Sequence, residues 1–79
     1  MDIYHQMTME QYNFFLKAKA HGAEVVSWRA VGTTFCEYTI DIRAVTNMAD
    51  FLNFLKQHNF YEVRLDYENL PLIVATQIA

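Results

Sequence analysis

A helix-like block followed by two strand-like runs occurs twice in this chain, and few folds accommodate that doubling. Residues 8–17, Thr-Met-Glu-Gln-Tyr-Asn-Phe-Phe-Leu-Lys, are echoed at 47–56 by Asn-Met-Ala-Asp-Phe-Leu-Asn-Phe-Leu-Lys. Met9/Met48, Phe15/Phe54, Leu16/Leu55 and Lys17/Lys56 are identical when the blocks are aligned. A histidine follows each block, His21 or His58. A Glu-Val pair comes next, Glu24-Val25 or Glu62-Val63, and then two apolar runs split by a polar break.

Local chemistry places the elements. Thr8 is a helix N-cap candidate, with Gln11 at the capping-box position. Met9, Tyr12, Leu16 and Ala20 recur at helical spacing and form the expected inward stripe. That stripe turns Phe14 and Ala18 outward. Lys17 and Lys19 suit the last turns, and Gly22 suits the residue just past the helix end. The second helix has Asn47 as its cap and Asp50 in its first turn. Its expected inward stripe is Met48, Phe51, Leu52 and Leu55, with Phe54 on the flank, and it ends at His58-Asn59.

Each helix is followed by a hairpin pattern. Residues 24–31 and 35–43 flank Gly32-Thr33-Thr34. Facing Cys36, Tyr38, Ile40 and Ile42 inward pairs Trp28 with Tyr38 and Val26 with Ile40. The same register sets Arg29 opposite Glu37 on the outer face, a favourable cross-strand pair. A slip of one residue would turn Trp28 to the polar face. Residues 60–67 alternate, with Tyr61, Val63, Leu65 and Tyr67 inward. Residues 72–78 follow the turn at 68–71, and Pro71 fits only the start of a strand. Pairing 67 with 72 and 65 with 74 directs Leu72, Val74, Thr76 and Ile78 to the core and Ile73 outward. Asp2 to Met7 also alternates and is a candidate extra strand.

The expected fold is α+β, in the order (β)αββαββ. Two helices cover one face of a four- or five-stranded, mainly antiparallel sheet. With a strand at 2–7 the order is ferredoxin-like; without it the chain is two αββ units. Its length of 79 residues is that of a single domain.

Few chemistries are supported. Catalysis is not expected: there is no phosphate-cradling glycine loop or nucleophile elbow, and the chain has two glycines in all. His5, His21 and His58 are spread over three elements, and Cys36 is the only thiol. No metal site or cofactor is expected from that set. Both later histidines lie at helix C-termini, where an imidazolium is favoured. Mid-strand, Cys36 reads as a small core residue. With a net charge of −3 and no basic cluster, direct nucleic-acid binding is not expected. No apolar stretch approaches the ~20 residues that span a bilayer. The lone cysteine and the absence of a signal-peptide pattern point to the cytoplasm.

What remains is apolar surface. The chain is 53% hydrophobic and 15% aromatic, yet a domain this small buries only ~60–65% of its surface. Surplus apolar groups mark interfaces. Phe14, Ala18, Phe54, Phe35 and Ile73 are the candidate protein-binding residues. The expected function is a non-catalytic protein-binding module, a regulator or inhibitor that occludes or bridges a protein partner, or binds itself as a homodimer. Two alternatives are a small-molecule-binding regulatory domain that dimerises through its sheet, and a small dimeric ferredoxin-like enzyme using Tyr4, His5, Tyr38 or His58. An outward Phe14 carries a direct expectation: Phe14→Ser should leave stability nearly unchanged.

Overall fold

A computed structural model describes residues 9–66, 68 and 71–78. The expected strand at 2–7, the Thr8 cap and the pairing of Tyr67 lie outside the described residues. Within them the order is α1 (Met9–Ala20), β1 (Glu24–Val31), β2 (Phe35–Asp41), α2 (Met48–Gln57), β3 (Phe60–Leu65) and β4 (Leu72–Ile78). The strands form one antiparallel sheet, ordered β1-β2-β4-β3. Both helices cover the same face. This is an α+β fold, consistent with a ferredoxin-like arrangement. The strand order reads symmetrically about the β2–β4 seam, so each αββ unit supplies one central strand and one edge strand.

The helix ends follow from their residues. In α2 the Asn47 side chain accepts from the Asp50 N–H at 3.1 Å, as a cap residue should. At the end of α1, Ala23 N–H reaches Ala18 C=O and Gly22 N–H reaches Lys19 C=O, each at 3.0 Å. That pair of bonds is a Schellman stop, which requires a left-handed residue. Gly22 supplies it with φ +89°, and a β-carbon there would run into the Ala44 carbonyl. The turn after α1 thus presses against the connection between the two units.

The first hairpin has the expected register over most of its length. Trp28 faces Tyr38, Arg29 faces Glu37, and Ala30 faces Cys36. A bulge between Val25 and Ser27 then places Val25, rather than Val26, opposite Ile40. The second hairpin differs from expectation by one residue. Leu65 pairs with Ile73, Val63 with Ala75, and Phe60 with Gln77 across a second bulge. Ile73 and Ala75 therefore face the helices and are buried. Leu72, Val74, Thr76 and Ile78 take the opposite face. Residues 72–75 are all apolar, so alternation does not choose a face. The choice falls to β2, whose Ile40 and Tyr38 stand beside Ile73 and Ala75.

The helices are also rotated from expectation. Phe14 is 2% exposed and Ala18 fully buried, whereas Met9, Tyr12 and Leu16 are exposed. In α2 the buried set is Phe51, Phe54 and Leu55, and Met48 and Leu52 lie at the surface. The equivalent positions are thus Phe14 and Phe54, one step out of phase with the alignment that pairs Phe15 with Phe54. These two rings stack across the helix pair at 5.3 Å, with planes 1° apart. Tyr38 and Phe60 close beneath Phe14 at 5.4 and 5.1 Å. Apolar groups occur all round α1, so its spacing does not single out a face. Gln11, polar but turned inward with its amide on the Tyr38 hydroxyl at 3.2 Å, conceals the true one.

The outward placement of Phe14, and the stability expectation built on it, is overturned. Phe14→Ala should cost about 3–5 kcal/mol of unfolding free energy, the range for a buried phenylalanine, measured by urea denaturation.

Candidate functional site

Of the five residues expected to bind a partner, four lie in the core. Phe14, Ala18 and Ile73 are almost fully buried, and Phe54 is 7% exposed. They contact each other and the sheet, which explains their apolar character without a partner. Phe35 alone stands half-buried on the sheet face that no helix among the described residues covers.

Phe35 has company there, of which alternation in β1 reveals Val31 but spacing within single strands does not reveal Tyr61 or Ile78. Val31 and Ile78 flank it on the two neighbouring strands. Tyr61, from β3, brings its ring to 5.5 Å from Phe35. The bulge after Phe60 permits this: Val63 and Leu65 keep the core face, yet Phe60 also points to the core and Tyr61 turns outward with Glu62. Val31, Tyr61 and Ile78 are all exposed. The result is an apolar patch at one end of the open sheet face.

The next rung is charged and largely satisfied within the molecule. The Arg29 guanidinium donates to Glu37 at 3.1 Å. Arg64 reaches over β4 to the other Glu37 oxygen at 3.5 Å and to Glu62 at 2.9 Å. Thr76 lies between Glu37 and Glu62 on the ladder. Single pairs at such exposure stabilise little, but the rung orders the face beside the patch. Aromatic rings on an open sheet resemble a base-stacking platform. Here Glu24, Glu37, Asp41 and Glu62 share that face, which opposes a phosphate backbone.

A second feature lies on the helix side. Gln11, Phe14, Lys17, Tyr38, His58 and Gln77 line a cleft of about 300 Å³. The buried Tyr38 hydroxyl accepts from the Gln11 amide and donates to Gln77 Oε1, each at 3.2 Å. Gln77 Nε2 in turn donates to the His58 carbonyl at 2.6 Å. Burial pushes the Tyr38 phenol up from its usual range, opposed by the Gln11 hydrogen bond and supported by Cys36. Tyr38 and His58, two of the residues expected to serve a cleft between sheet and helices in the enzyme alternative, share this cleft. Tyr4 and His5 lie outside the described residues.

The helix-dipole argument for a protonated His58 does not hold. Burial lowers its pKa below the usual 6.5, and Lys17 lowers it further. Its ring packs 4.7 Å from Phe54 and 5.4 Å from Phe14. Cys36 is buried opposite Ala30. Among the described residues no group of His, Cys, Asp or Glu is placed to hold a metal ion. No helix among them is long and apolar enough to cross a membrane. The chain matches no family model, no curated protein and no solved structure.

The His58 environment has a definite pH consequence. Its pKa is lower folded than unfolded, so the unfolded chain takes up the proton first as pH falls. The stability linked to neutral His58 is complete above about pH 6.5 and is lost below it, through the folded pKa. His58→Gln should therefore show a smaller fall in melting temperature between pH 7 and pH 5 than the parent chain. Equal falls in the two proteins would contradict this placement.

Proposed function

We propose that this chain is a non-catalytic protein-binding module that regulates or inhibits a protein partner by covering part of its surface. The observation that carries this reading is the Val31–Phe35–Ile78–Tyr61 patch on the helix-free sheet face. Two aromatic rings and two branched aliphatics from four strands form one patch, held on a rigid sheet. Aromatic anchors of this kind dominate binding energy at protein interfaces. The rung of Arg29, Glu37, Arg64 and Glu62 beside it provides the polar rim such interfaces use. A face bearing four carboxylates among its charges fits a protein partner better than a nucleic acid.

The test is capture from native lysate with tagged chain, read by mass spectrometry and stoichiometry. Phe35→Ser with Tyr61→Ser should abolish a stoichiometric partner, and Tyr12→Ser on α1 should not. Retention of the partner by the double variant would refute the patch as the binding surface.

A small-molecule-binding regulatory domain is the second reading, supported by Tyr38 and His58 lining one cleft. On that reading a metabolite raises the melting temperature of the parent chain. Tyr38→Phe, which removes the hydroxyl between Gln11 and Gln77, should abolish that rise.

A further inference from the structure

Among the described residues, β1 is an edge strand, with β2 on one side and no strand on the other. It has eight residues, the longest strand of the sheet, and contains neither lysine nor proline. Short length, proline, charged side chains and bulges are the usual protections of an edge; of these β1 has the bulge between Val25 and Ser27 and the charges of Glu24 and Arg29, both of which a second copy of the strand can match. The opposite edge, β3, has six residues and carries the Arg64–Glu62 pair. Beside β1 lies a groove of about 480 Å³ under α1, lined by the apolar Tyr12, Phe15, Leu16 and Val25 and by the charged Lys19 and Glu24. The matching groove between α2 and β3 is half that size, about 240 Å³.

The bulge gives this edge an unusual property. Glu24 and Arg29 are an odd number of residues apart, so a regular strand would point them to opposite faces. The break in register between Val25 and Ser27 brings both to the outer face, opposite Asp41 and Glu37. By the same step Val25 and Trp28 both turn to the helix side, opposite Ile40 and Tyr38. Antiparallel pairing of β1 with a copy of itself can then match both faces at once. Glu24 meets the partner's Arg29, and Val25 meets the partner's Trp28, each twice by symmetry. Other registers fare worse. Trp28 against the partner's Ala30 sets Arg29 against the partner's Arg29. Trp28 against the partner's Trp28 leaves Glu24 without an opposite charge.

We propose that this chain forms a symmetric dimer by antiparallel pairing of β1 with β1 of a second copy, in the register that sets Glu24 against the partner's Arg29. The two sheets become one of eight strands, and an isologous contact closes the assembly at two copies. The Tyr12 and Leu16 side chains, 43% and 50% exposed in the single chain, then lie over the seam. The paired segment, Glu24 to Arg29, leaves out Phe35, Tyr61 and Ile78 and also Val31, which ends β1 beyond it, so failure of either reading leaves the other standing.

Sedimentation equilibrium of the full chain over a dilution series tests it. Glu37→Gln serves as a common background, so that Arg29 has no carboxylate opposite it on β2 to lose. The background chain should show a monomer–dimer equilibrium. Adding Glu24→Arg sets like charges across the seam twice and should weaken dimerisation roughly tenfold or more. Adding Arg29→Glu to that variant should restore it. A monomer at every concentration would overturn the proposal, as would open-ended assembly. A dimer indifferent to Glu24→Arg, or one that the compensating change does not restore, would overturn the register and with it the proposal.

Discussion

The stacked contact between Phe14 and Phe54 holds the rest of this structure in place. It joins the two helices, one from each αββ unit, and it lies over the β2–β4 seam where the units meet. Tyr38 and Phe60 close on Phe14 from below, and Phe51 and His21 close on Phe54 from the side. With an interior this small, few other groups are available to set how far apart the helices stand. That spacing decides which side of each helix is buried. It also decides that Tyr12, Leu16 and Leu52 are left at the flanks, above the edge strands.

Much of the fold was legible in the sequence. Helix caps, turn residues and the first hairpin are local, and each depends on a side chain whose chemistry admits few settings. Asn47 brings an amide carbonyl oxygen as acceptor to a helix start, Gly22 tolerates a left-handed backbone, and Arg29 can face Glu37 in only one register. The facing of α1 and of β4 was not legible. In α1, Gln11 counts as polar, yet Tyr38 gives it a buried partner from a distant strand. In β4, four apolar residues in succession satisfy either face. Those choices are settled by tertiary contacts, and periodicity does not contain them.

The candidate site was legible only where it depended on a single strand. Phe35 was placed correctly on the outer face because β2 alternates cleanly. Tyr61 was assigned to the core because a bulge is invisible in an alternating run. Phe14 and Ala18 read as surplus because the expected stripe of α1 lies two residues away, Phe54 because it falls on the flank of the expected stripe of α2, and Ile73 because the expected register of β4 is one residue off. An error of two residues in helix phase, or of one in strand register, converts the centre of a core into an apparent interface.

The symmetric order of the sheet has a consequence for the chain as two pieces. Cut within residues 42–46, each fragment would keep a helix and a hairpin but only half of the aromatic cluster. Neither half could bury its central strand alone, because β2 and β4 are each other's neighbour. The fragments should then be far more stable together than apart, recombining along the seam. Stability in this molecule therefore depends on the seam between the repeats as well as on each repeat, and the pressing of Gly22 on Ala44 ties the first unit to the linker that such a cut would sever.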